Sequence, residues 1–298
     1  MKKKLLGLTI LLFVYVAAFA IGIVWFKLFE EKMHWILNLF IADVIATIFV
    51  WLMGVILKTA SVYDPYWSIQ TVLIYIPLMF KFNNFSFGAI LFLILLLIYT
   101  IRLTGNFIVG FNDLSYIDWR YAMLRKKTGK FYQLVSLLGI HMVPTIVVFA
   151  ASVPSFMYLE HGMDFSPLNL IGLLLILLGI SLEFFADLNM KKFQKNRTSK
   201  SEIIRVGLWK YSRHPNYLGE IIIWYGVALV FILSSIGEWY YIAGAILNTL
   251  LFIFISIPMA DNNLKTYKAG YDEYRKETRS LLPFPKLVNT KEKQQDVL

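Results

Sequence analysis

The chain has no cysteine in its 298 residues, so disulfides, thiolate metal sites and cysteine nucleophiles are all excluded. The same absence leaves the redox compartment undetermined. Charge is scarce too. Charged residues make up 16% of the sequence against 58% hydrophobic, and the mean hydropathy of +0.62 is too apolar for a soluble domain with a solvated surface. No stretch between the apolar runs is long enough to bury a core of its own. Internal repeats and low-complexity linkers are lacking. No Gly-x-Gly-x-x-Gly unit joins a strand to a helix, which excludes a Rossmann site as the route to a dinucleotide. Acidic residues are outnumbered, 19 against 29 Lys and Arg, for a net charge of +10. In a chain this apolar such an excess sets topology and meets anionic headgroups, so membrane lipids and not nucleic acid are the expected surroundings. No metal site is assigned.

What is present is a series of long apolar runs. A bilayer core needs about 20 apolar residues per helix. Eight candidates are read: Leu5–Phe26, Trp35–Leu57, Tyr66–Phe80, Phe87–Ile101, Leu134–Tyr158, Leu168–Leu188, Leu218–Ile236 and Trp239–Pro258. The expected fold is therefore all-α, a polytopic transmembrane bundle of about eight spans, within a range of seven to nine. The third and fourth runs are short. If both cross, all but Lys27, Lys32 and Lys81 of the basic residues share one side, which the positive-inside rule makes cytoplasmic, together with both termini. Lys2–Lys4 followed by an apolar run and Ala18-Phe19-Ala20 resemble a cleavable signal peptide; apolar character through Phe26 favours an uncleaved anchor. The chain is divided into N-terminal helices (1–62), a membrane domain (63–286) and a polar tail (287–298) expected to be disordered.

Ionisable groups inside spans are costly and are usually paired or functional. Asp43 lies well inside the second run, where an interhelical hydrogen bond or a protonated carboxyl is expected. His141, near the start of the fifth, is read as a packing histidine. Glu183 and Asp187, four apart, share one helix face, and Lys191 and Lys195 continue it. This ladder either pairs internally or offers acceptors and cations to a cofactor's hydroxyls, amides and phosphates. Spacing alone does not choose between the two.

The densest constellation runs from Gly207 to Glu220 and contains Lys210, Tyr211, Arg213, His214, Asn216, Tyr217 and Glu220. Pro215 suits the first turn of a following helix, whose free amides and positive dipole end can hold an anion. Arg213 can fork onto a phosphate, and His214 and Asn216 can bond ribose or amide groups.

Tyr211-Ser-Arg-His-Pro-Asn-Tyr-Leu-Gly-Glu220 resembles the signature of the steroid 5-alpha-reductase-like membrane family, in a bacterial branch. The resemblance extends to Asp64-Pro65-Tyr66-Trp67, Arg102-Leu103-Thr104, Asp118-Trp119-Arg120-Tyr121, Glu183-Phe-Phe-Ala-Asp187, Tyr267-Lys-Ala-Gly-Tyr271-Asp-Glu-Tyr274 and Leu281-Leu282-Pro283-Phe284, and so covers roughly residues 63–285. It implies a helical bundle that holds NADPH in a cytoplasm-facing pocket and admits a lipid-like substrate from the membrane. On that resemblance the cofactor residues are Arg102, Arg120, Glu183, Asp187, Lys191, Lys195, Tyr211, Arg213, His214, Asn216, Tyr217, Glu220, Asn263 and Tyr267. The catalytic candidates are Asp64 and Tyr99, which would polarise the carbonyl of an enone. Two departures stand out, since Asp64 is shorter than the usual glutamate and Met259 stands where steroid reductases carry an arginine.

The implied activity is NAD(P)H-dependent reduction of a conjugated double bond in a lipid, isoprenoid or sterol-like substrate. Two alternatives stand beside it. Isoprenylcysteine carboxyl methyltransferases, which bind S-adenosylmethionine, are similar in the same region, and a non-catalytic lipid-binding or transport protein would keep the fold without turnover. A bacterial plasma membrane is the expected location; substrate identity and oligomeric state are not legible.

Overall fold

The computed structural model describes residues 2–163 and 165–283. The expected tail, 287–298, and Phe284 of the last motif lie outside the described residues. The architecture is helical, as the sequence predicts. It divides into two compact units, residues 1–165 and 166–298.

The first unit contains α1 (Lys2–Leu28), α2 (Trp35–Ile56), a 3-10 turn (Ala60–Tyr63), α3 (Tyr66–Lys81), α4 (Phe87–Gly110), α5 (Trp119–Thr128), α6 (Tyr132–Val135), a π turn (Ser136–Met142) and α7 (Val143–Glu160). The second contains α8 (Asn169–Asn196), α9 (Pro215–Ile232), α10 (Ala243–Leu251), a π turn (Phe252–Ser256), α11 (Ile257–Lys265) and α12 (Tyr271–Glu277). Among the described residues, seven helical stretches are long and apolar enough to cross a bilayer. The eighth expected crossing, α3, has 16 residues. At about 24 Å it falls short of a hydrocarbon core about 30 Å thick.

Other boundaries depart from the sequence reading as well, among them the ends of α4 and of the last run, while α8 continues past Leu188 to Asn196. Leu103, Phe107, Ile108 and Val109 help carry α4 nine residues past Ile101, so Arg102 stands within a helix and shares it with Tyr99. In the last run Pro258 does not end the helix. It follows the π turn, where a missing N–H costs little, and α11 continues to Lys265.

The helices expose large apolar side chains outward, such as Leu5, Leu6, Leu12 and Phe13 on α1, while Leu11, Val14, Tyr15 and Ala18 face inward. Apolar character on all sides is what a lipid-facing helix requires. With lipid outside, hydrophobic burial discriminates weakly between helices, and close packing and interhelical hydrogen bonds take over. The first unit uses hydroxyls and amides. Thr47 and Thr145 are 3.1 Å apart, the Tyr63 hydroxyl bonds Thr145 at 2.7 Å, Thr71 meets Ser152 at 3.1 Å, and Thr100 donates to the Ser68 carbonyl at 2.9 Å. Asp43 makes the interhelical bond expected of it, accepting from Gln70 Nε2 at 2.7 Å. His141 is fully buried against the Tyr63 ring, with Nδ1 2.8 Å from the Ser136 carbonyl, which is a packing role.

The second unit uses glycine. Gly172 and Gly179 on α8 face Gly226 and Gly219 on the antiparallel α9. A methyl group built at Gly179 would stand 2.6 Å from the Gly219 carbonyl oxygen, and one at Gly172 would stand 2.7 Å from that of Gly226. Two glycines seven residues apart on each helix therefore form a seam along which the backbones touch.

Candidate functional site

In the second unit the polar residues of the 207–220 segment gather around α9's first turn. The helix begins at Pro215, with His214 at its cap and no side chain capping the free amides. Gly207, with φ of +57°, turns the chain beneath α8. The positive φ favours glycine here, and a side chain would have to displace the Asn189 amide, 2.4 Å from its Cβ. Trp209 anchors the turn by donating from Nε1 to the Ala186 carbonyl at 3.0 Å.

Asp261 on α11 is the hub of this end. Its Oδ2 accepts from Arg213 at 2.9 Å, and its Oδ1 lies 2.8 Å from His214 Nε2 and accepts from the Tyr271 hydroxyl at 2.6 Å. Arg275 approaches within 3.6 Å. Arg213 also donates to the Thr278 carbonyl, and the backbone amides of Arg213 and His214 bond the carbonyls of Arg279 and Ser280 at 2.9 and 3.0 Å. Arg213 and His214 thus join α9, α11 and the segment after α12, and the fork expected to reach a phosphate is turned inward. The sequence assigns Asp261 no role, because the last apolar run is read as ending at Pro258 and leaves it outside, whereas Asp43 stands out by lying well inside one. Tyr271 belongs to the Tyr267–Tyr274 motif, but the sequence assigns it no role. Burial raises the Tyr271 hydroxyl above its ordinary range, and the Asp261 carboxylate raises it further.

Glu183 is buried against Gly219, where a methyl would stand 2.5 Å from its Cγ, so the seam glycine makes room for the carboxylate. Glu220 is also buried and accepts from Trp224 Nε1 at 2.8 Å. Tyr217 stacks on His214 with ring centres 5.1 Å apart and packs on Phe252 of the π turn at 4.8 Å. Asp187 is half-buried, whereas Lys191 and Lys195 are exposed farther along α8. Asn263 is half-buried on α11, and Tyr267 and Tyr211 are exposed. The Oδ1 of Asn216 is buried and has no hydrogen-bond partner among the described residues. An orphaned acceptor is costly. In the first turn of a helix with uncapped amides, it fits a ligand that brings both a donor and an anion, as a dinucleotide does with its hydroxyls, carboxamide and phosphates.

The remaining candidates belong to the first unit. Asp64 lies between the 3-10 turn and α3. Its Oδ1 accepts from the Tyr121 hydroxyl at 2.5 Å, and Arg120 approaches at 3.9 Å while bonding Asp118 at 2.7 Å. Burial raises the Asp64 carboxyl to about 7, with Arg120 pulling it down and Asp118 pushing it up. Tyr121 is a partner the sequence reading quoted without assigning. Tyr99 is buried on α4 next to Thr100, whose bond to Ser68 ties this turn of α4 to the first turn of α3. Arg102 is half-buried one turn farther along, and Arg120 is exposed.

A family model described as "Protein of unknown function (DUF1295)" matches residues 50–278. Among curated proteins, 3-oxo-5-alpha-steroid 4-dehydrogenase 1 of Macaca fascicularis is 31% identical over 118 residues, which is 40% of this chain and 41% of that protein. The corresponding enzyme 2 of Homo sapiens is 28% identical over 118 residues, 38% of this chain and 41% of that protein. The alignment therefore spans less than half the length of these relatives. No solved structure matches the chain.

Proposed function

The chain belongs to the DUF1295 family of steroid 5-alpha-reductase-like membrane proteins, and from that premise we propose that it reduces a conjugated carbon–carbon double bond in a lipid, isoprenoid or sterol-like molecule, using NADPH. The observation that carries this reading is the Asp64 carboxyl, held near pH 7 and bonded by Tyr121. A carboxyl at about 7 is half protonated at neutral pH, and that form has an O–H to donate, as conjugate reduction of an enone demands at the carbonyl oxygen while negative charge develops there. Tyr99 is the second donor in this proposal. Asp187, Glu183, Asn216 and Glu220 would hold the cofactor's hydroxyl and amide groups, with the α9 amides and nearby Lys191 and Lys195 toward its phosphates. NADPH, when bound, supplies hydride for the beta carbon. A cofactor site facing the cytoplasm of a bacterial plasma membrane completes the proposal; the Lys and Arg asymmetry behind that orientation requires the 16-residue α3 to cross.

The test is calorimetric titration of NADPH, NADH and S-adenosylmethionine into detergent-purified protein. Selective NADPH binding is expected and would justify a screen of enone lipids. Selective binding of S-adenosylmethionine would move the chain to methyl transfer and overturn the reading.

A further inference from the structure

A cavity of about 620 Å³ in the first unit is lined by α1, α2 and α3 and is partly open to the outside. Neither Asp64 nor Tyr99 lines it, and most of its wall from α1 and α2 lies before residue 50, ahead of the family match. Its volume is within the range of about 300–1,000 Å³ usual for small-molecule sites. The wall is apolar, built from residues such as Phe19, Ile23, Leu73 and Ile74, except at its two ends. At one end stands the Asp43–Gln70 pair. At the other, about 16 Å away along α3, Lys81 pairs with Glu30 beside Lys27.

The Asp43–Gln70 end is incompletely satisfied. Gln70 is 2% exposed, and its Nε2 donates to Asp43, but its Oε1 is buried without a partner among the described residues. An acceptor left so in an apolar wall calls for a donor that the protein does not provide. Asp43 beside it disfavours an anionic head. We propose that this cavity binds a neutral long-chain amphiphile whose hydroxyl donates to Gln70 Oε1 once the buried amide rotates toward the cavity, its chain lying along α3 toward Phe26 and Phe80. The site is distinct from the reductase centre and does not depend on turnover.

The experiment titrates hexadecan-1-ol, its methyl ether and palmitate into the full chain in detergent, read by native mass spectrometry, with NADPH affinity measured alongside. The alcohol is expected to bind about tenfold tighter than the ether, the worth of one buried hydrogen bond, and palmitate more weakly than the alcohol. Gln70→Leu removes the acceptor and should erase the preference for alcohol over ether. Ile74→Trp fills the cavity from a half-buried position and should weaken both by tenfold or more, leaving lipid-free thermal stability and NADPH affinity unchanged. Equal affinity of the unaltered chain for alcohol and ether, or undiminished binding of both by Ile74→Trp, would overturn the proposal. Failed NADPH binding with the alcohol preference intact would instead count against the reductase reading alone.

Discussion

Asp64→Asn isolates the charge that burial works against. The Asp64 side chain is 14% exposed, and its carboxyl sits at about 7 in the folded protein, against about 3.9 in an unfolded chain. The folded state therefore holds a proton that the unfolded state has lost between those two values. Stability from this group is fully present below pH 4, falls as pH rises, and is flat above about 7. Each unit is worth about 1.4 kcal/mol, so the loss between pH 5 and pH 8 is about 3 kcal/mol. Asparagine does not titrate and keeps its N–H donor throughout. The variant should gain on the native protein by that amount between pH 5 and pH 8, or roughly 5–10 °C in thermal midpoint. Thermal unfolding of both proteins in the same detergent at the two pH values measures the gap directly. If the proposed reduction holds and the neutral carboxyl is its working form, turnover by the native protein falls about tenfold per unit above pH 7, and the variant, slower throughout, shows no inflection there. A midpoint gap that stays constant from pH 5 to pH 8 would refute the buried-carboxyl argument.

Asp261→Asn leaves Arg213 buried without its counter-charge and should cost about 3–5 kcal/mol, seen as a lower thermal midpoint and faster protease cleavage between residues 266 and 280; native-like resistance would show that the hub does not hold this segment. Gly219→Ala drives a methyl into Glu183 and the Gly179 carbonyl, at an expected cost of about 1–3 kcal/mol, and an unshifted midpoint would mean that α8 and α9 do not touch along the glycine seam. Asp187→Ala should abolish NADPH binding while membrane expression is retained, and unchanged affinity by calorimetry would remove Asp187 from the cofactor site. Tyr99→Phe should slow turnover with little change in cofactor affinity, and full activity in that variant would remove Tyr99 from catalysis.

The sequence by itself determined the membrane class, the helical fold, the start of α9 at Pro215 and the need of Asp43 for a partner or a proton. Each follows from local properties, namely apolar run length, the missing amide of proline, and the cost of a carboxylate within a span. The glycine pairs of α8 and α9 were present too, but a spacing of seven does not say which partner helix it faces. Tertiary structure alone decided that Arg213 turns inward to Asp261, 48 residues away, that Tyr121 bonds Asp64 across 57 residues, and that Gln70 Oε1 is buried unpartnered on a residue that lines a cavity. Proton affinities and orphaned acceptors are set by what surrounds a group in space, and separations of that length leave no periodicity in the chain from which the neighbour can be read.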